Sequence, residues 1–299
     1  MIQHLLYSLL PILLSLLLGW GLGKIIAKPL KNRLVSLISV LVWLLLIAIG
    51  YQFAHILFDP ALGVQIMVEA FIYASVISLV TFALLLQGHT TQTKQSRSLQ
   101  QILTPIRECL TAVAMVGVGM LIYAIWPYAS QSEQISAGLL YLLIVLVGID
   151  LAGIQLAGLT GQHWKVPIVV LLATLLAAGL SSWILPRDFI ELLVLGSGFG
   201  WFSLSGPLVG KLLGPEQGTF ALLTDLMREF YSILLLYLLG KRYPSSVIGV
   251  CGATAMDSTL PFIKNNCSSL NVQIAIFSGF ILTVLAPVFI ILFVSFVPL

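Results

Sequence analysis

Apolar runs of about the length that crosses a bilayer recur from one end of this 299-residue chain to the other. A spanning helix needs roughly 20 consecutive apolar residues. Ten segments approach that length: residues 5–23, 35–57, 66–87, 108–127, 137–156, 166–185, 190–213, 218–239, 247–263 and 272–296. Charged residues make up 8% of the chain and hydrophobic ones 59%, against about 25% charged in ordinary globular domains. No water-facing surface can be built from that supply. Inside hydrocarbon every backbone N–H and C=O must be satisfied by the protein itself, and runs of this length do so as helices. The sequence predicts an all-α polytopic protein of the lipid bilayer, with residues 1–299 forming one integral membrane domain.

Several function classes drop out. The net charge of +3 carries no nucleic-acid signal, because the basic residues sit in the short gaps between apolar runs. Cys109, Cys251 and Cys267 are odd in number and lie in or near apolar segments, so a disulfide framework is not expected. The four histidines (His4, His55, His89, His163) are scattered, which argues against a metal site, and no phosphate-binding glycine loop is present. The run 5–23 has no Lys or Arg before it, opposite to a cleavable signal, and reads as the first span.

Gap charges orient the segments. The first gap carries Lys24, Lys28, Lys31 and Arg33, the third Lys94, Arg97 and Arg107, and the fifth Lys165 beside His163. The intervening gaps hold Asp59 and Glu133, with no Lys or Arg until Arg187 beside Asp188. Positive gaps stay in the cytoplasm, so the odd gaps are internal and both termini external. If all ten segments cross, Lys241 and Arg242 fall outside, against that rule. If 190–213 and 247–263 dip in and return, Lys241, Arg242 and Lys264 are internal and eight spans remain. Those two segments are the ones broken by Gly196, Gly198, Gly200, Gly206, Pro207 and Gly210, and by Gly249, Gly252 and Pro261. The sequence predicts non-helical backbone at membrane depth over 196–206 and 252–261, the two breaks approaching each other. The ten segments also divide five plus five with inverted topology, as halves 1–157 and 166–299.

Two carboxylates stand where lipid-spanning sequence tolerates few. Glu229 lies in the apolar run 220–239 and Asp257 in 247–263. A charge at the bilayer centre costs roughly 2.5–3.5 kcal/mol on the mildest scale, so such residues face cavities and serve pathways. Asp225, Arg228 and Glu229 fall within about one helical turn, so Arg228 can neutralise either acid. The neutralised acid is expected to be Asp225, nearer the segment end. Ser203 and Ser205 in the first break, with Thr254 and Ser258 beside Asp257, complete the candidate substrate- and proton-binding set.

Taken in order, the Gly/Ser run 196–206, the run 224–229 ending Arg228-Glu229, and the run 252–261 around Asp257 resemble the bacterial lysine exporter (LysO) family. The resemblance is strongest over 196–261 and hydropathic elsewhere. It implies a transporter, not an enzyme: a multi-pass protein of the bacterial inner membrane that exports L-lysine and its toxic analogue thialysine. Coupling to protons is expected, with Na⁺ the alternative ion and no other cofactor. It also implies that Glu229 and Asp257 match the family's intramembrane acidic pair. Asp150, in the fifth segment, departs from the neutral polar residue expected there.

The chemistry of that substrate suits the residues. Lysine carries two ammonium groups and one carboxylate, and each unpaired group in a dry cavity costs several kcal/mol. Glu229 and Asp257 can meet the cations, while Arg228 or backbone N–H groups at the breaks can meet the anion. A monovalent cation/proton antiporter would use the same acids. An intramembrane aspartyl hydrolase would need two Asp and a Gly-x-Gly-Asp pattern, which is absent here. Assembly as a homo-oligomer is left open.

Overall fold

The computed structural model describes residues 2–86, 100–127, 132–153 and 161–297. Among these residues there are twelve α-helices, one 3-10 turn and no strand. They are α1 (Ile2–Ile25), α2 (Lys28–Leu57), α3 (Pro60–Leu84), α4 (Gln100–Ile125), α5 (Ser132–Leu151), α6 (Gly161–Ser181), α7 (Phe189–Gly196), α8 (Phe202–Leu213), α9 (Pro215–Leu239), α10 (Pro244–Cys251), α11 (Leu260–Asn266) and α12 (Ser269–Val294), the 3-10 turn being Gly252–Met256. Lys94 and Arg97, used above for orientation, and His89 lie outside the described residues. Proline opens α3, α9 and α10, where its missing N–H withdraws no helical bond. Asp59 caps α3, its carboxylate accepting from the N–H groups of Ala61 at 2.9 Å and Leu62 at 3.1 Å.

Five helices (within α2, α3, α5, α6 and α12) are long and apolar enough to cross a membrane by length and composition. Their outward faces are apolar: Leu44, Leu79, Leu142, Leu172 and Leu292 are all exposed. Water does not tolerate such a surface, and lipid does. Trp126 and Trp183, at the ends of α4 and α6, are exposed where aromatic anchors meet a membrane interface.

The helices pack as two groups. In the first, α2 packs on α4 and α5, and α1 packs on α5. Glycine lets the backbones touch: a Cβ on Gly50 would stand 2.1 Å from the Val116 carbonyl oxygen, and one on Gly119 2.0 Å from that of Ile47. In the second, α3, α8 and α10 pack along α9, while α6, α7 and the 3-10 turn pack on α12. Thus α3 joins the later helices in space.

The two glycine-rich segments are hairpins. Arg187, just before α7, reaches Glu216 in the first turn of α9 at 3.2 Å, and α8 ends at Gly214, the residue before α9. So α7 and α8 leave and return at one end of α9. At its other end α10 starts after a short turn, and Sγ of Cys267, just past α11, lies 3.6 Å from the Gly240 carbonyl oxygen. The two tips meet: the Ala253 N–H donates to the Phe199 carbonyl at 2.9 Å. The breaks are narrower than the expected 196–206 and 252–261. The N–H groups of Leu204 and Ser205 both fold back on the Trp201 carbonyl at 3.0 Å, so Ser203, Ser205 and Gly206 are already helical. Leu260 and Pro261 likewise open α11.

Arg187 ties three elements at its end of the molecule. It is nearly buried and bonds Glu69 of α3 at 2.6 Å, Glu191 of α7 at 2.7 Å and Glu216 of α9 at 3.2 Å. Burial opposes its charge, but Glu69 and Glu191 more than offset that and hold its pKa above the ordinary guanidinium value. Removing the cation leaves three carboxylates facing one another. Arg187→Gln should destabilise the detergent-solubilised protein by roughly 3 kcal/mol, read as a lowered thermal unfolding midpoint, and Arg187→Lys should recover part of it.

Candidate substrate-binding site

On α9 the spacing of Asp225, Arg228 and Glu229 puts all three on one face, and that face meets both hairpin tips. Asp225 is fully buried and accepts the Gly200 N–H at 2.8 Å, holding the tip of the first hairpin. The approach is so close that a Cβ on Gly198 would stand 1.8 Å from the Asp225 Oδ2 and 2.6 Å from the Ser205 Cβ. Arg228 is also fully buried. Its Nε donates to the Val250 carbonyl at 3.1 Å and its Nη2 to that of Gly249 at 3.3 Å, the last carbonyls of α10. Those carbonyls are the negative end of that helix, which a guanidinium both satisfies and neutralises.

Glu229 has a different outlook. Its carboxylate accepts a hydrogen bond from the Ser258 hydroxyl and borders a cavity of about 630 Å³, within the size range of small-molecule sites. Gly200 to Ser203 line it from the first tip, and Thr254, Met256, Asp257, Ser258 and Pro261 from the second. Ser39, Trp43 and Leu46 of α2, Arg107 and Thr111 of α4, and Leu143 of α5 form the facing wall. The cavity therefore lies between the two helix groups. Asp257 is exposed there, whereas Glu229 is 6% exposed.

The candidate set thus divides. Glu229, Asp257, Ser203, Thr254 and Ser258 line the cavity; Ser205, Asp225 and Arg228 lie behind its wall. The Thr254 hydroxyl is committed to the Cys251 carbonyl at 2.8 Å, which shapes the 3-10 turn. Sequence reasoning missed Arg107, which had been counted only as a gap charge. The helix α4 begins at Gln100, so Arg107 is two turns inside it. Asp150 sits near the end of α5 within the electrostatic reach of Lys31, away from the cavity.

The profile of the family described as "Lysine exporter LysO" matches residues 109–294, which hold α9 and both hairpins. The chain belongs to the LysO family. The Lysine exporter LysO of Escherichia coli (strain K12) is 30% identical over 303 residues, covering 96% of this chain and 98% of that protein. A Haemophilus influenzae protein named "Putative lysine exporter" is 37% identical over 164 residues, 52% of this chain and 84% of its own length. The family profile begins after Arg107, so the wall that α2 contributes lies outside the stretch it matches. Membership and the helical architecture support an amino-acid exporter.

In this LysO family member the tips depend on unusual backbone. Gly252 has φ +63°, and a Cβ there would stand 2.1 Å from the Phe199 carbonyl oxygen that accepts the Ala253 N–H. Phe199 itself holds φ +51°, retained because its buried ring packs on Phe289 of α12 at 6.1 Å. Gly252→Ala should cost at least roughly 2 kcal/mol of stability and separate the tips. Gly138→Ala, where the added methyl meets open space, should stay within about 0.5 kcal/mol of wild type in the same thermal unfolding assay.

Proposed function

We propose that this protein exports L-lysine and thialysine across the bacterial inner membrane by proton antiport, with Glu229 and Asp257 as its proton- and cation-binding pair. The carrying observation is the cavity between the helix groups, bordered by both carboxylates and both hairpin tips. Two acids match the two ammonium groups of lysine, and the methylene chain suits the apolar wall of Val42, Trp43 and Leu46. The names of the relatives point to the same substrate. A carboxylate can hold either a proton or a substrate ammonium, which lets the pair alternate between proton and substrate.

Energetics favour exchange. Carrying one positive charge out of an inside-negative cell costs about 2.3 kcal/mol per 100 mV. One proton in for one lysine out cancels that term and leaves the pH gradient, worth about 1.4 kcal/mol per unit. Two protons per lysine recruit the voltage as well.

The hairpins support the eight-span arrangement with both termini outside. In it α7 and α8 enter from outside and α10 and α11 from the cytoplasm. Lys241, Arg242 and Lys264 then join Lys24, Lys28, Lys31 and Lys165 on the inside, in keeping with loop charge. In a variant lacking the native cysteines, a cysteine at position 241 should react with an impermeant thiol reagent only after permeabilisation. Labelling from outside would mean ten full crossings.

The transport test uses inverted vesicles with labelled lysine under imposed pH and voltage gradients. Glu229→Gln and Asp257→Asn keep size and hydrogen bonding but remove the charge. Each should abolish lysine-driven proton release from protein that still reaches the membrane, and the double variant should be no worse than either single one. Retained coupling in either single variant would refute that residue's role. Proton release triggered by Na⁺ but not by lysine would instead favour the cation/proton antiporter.

A further inference from the structure

We propose that Arg107 recognises the α-carboxylate of the transported amino acid, an assignment that rests on the exporter reading above. Among the described residues, the charged side chains that line the cavity are Glu229, Asp257 and Arg107. Two anions and one cation are the inverse of lysine, which carries two cations and one anion. The acids belong to α9 and the second hairpin, whereas Arg107 projects from α4 on the opposite wall. A substrate spanning the cavity would meet the acids at one side and the guanidinium at the other.

The alternative cation is already engaged. Arg228 is fully buried, absent from the cavity wall and bonded to the Val250 and Gly249 carbonyls. Arg107 is exposed and stands on the cavity wall. A guanidinium at the wall of a site for cations repels the substrate unless it meets an anion. Its planar fork of donors fits a carboxylate in bidentate fashion. The next turn of α4 adds Thr111 to the wall, its hydroxyl anchored to the Arg107 carbonyl at 2.7 Å. Arg107 thereby makes the site one for amino acids and not for diamines.

The test compares lysine with 1,5-diaminopentane, which keeps both ammonium groups and lacks the carboxylate, as competitors of labelled lysine in inverted vesicles. Wild-type protein should bind lysine at least roughly tenfold more tightly, the size of a lost hydrogen bond to a charged group. In Arg107→Gln the KM for lysine should rise by about tenfold to a hundredfold while the inhibition constant of 1,5-diaminopentane holds or falls, and Arg107→Lys should restore part of the preference. Equal weakening of both compounds, or an unchanged lysine KM, overturns the assignment. Should Arg107→Gln fail to reach the membrane, wild type decides: equal competition by the two compounds overturns it, and the tenfold preference together with partial preference in Arg107→Lys upholds it. Wild-type protein that neither moves lysine nor is thermally stabilised by it would sink the exporter reading itself, and this assignment with it.

Discussion

Opened backbone at membrane depth has to find hydrogen-bond partners inside the protein, because hydrocarbon supplies none. The whole arrangement depends on how α9 meets that demand. One tip presents the Gly200 N–H to the carboxylate of Asp225; the other ends a helix in carbonyls and receives the guanidinium of Arg228. The two side chains stand one turn apart on a single rigid helix, so each also moderates the cost of burying the other. A direct Ala253 to Phe199 bond then joins tip to tip. With both hairpins fixed, the neighbouring Glu229 is left facing the cavity, against Ser258.

That division explains why three charged residues within five positions do not collapse into a simple ion pair. Asp225 and Arg228 are positioning residues and act on backbone. Glu229 and Asp257 border open volume beside Trp43, Trp201 and Leu46. Apolar walls exclude water and so strengthen whatever electrostatic contact forms between them. A site of this kind suits a flexible chain with charged ends better than a bare spherical ion, which would need oxygen ligands on every side.

Much of the fold was legible in the sequence for a physical reason: helix length in a membrane is dictated by bilayer thickness, so hydropathy locates the segments. Glycine and proline marked the two breaks, since few other residues hold the backbone of Gly200 or Gly252. Whether those segments cross or return was not legible from composition, because the two courses bury the same residue types. Contacts such as Arg187 to Glu216, which bring the two ends of one broken segment together, arise only in the folded chain. Arg228 pairs electrostatically with Asp225, as its spacing implies, but its hydrogen bonds go to the Val250 and Gly249 carbonyls; formal charges are visible in a sequence and helix dipoles are not. Arg107 was hidden by its proximity to a basic gap, where a loop charge and a wall charge look alike.

The cavity is bounded on one side by α2, α4 and α5 and on the other by the hairpins and α9. Around it the two groups also pack directly, α2 and α5 against α8 and α9. A molecule long enough to touch both walls would add one more strut to that seam, made of contacts that come and go with it. Occupancy would then set part of the seam's stiffness.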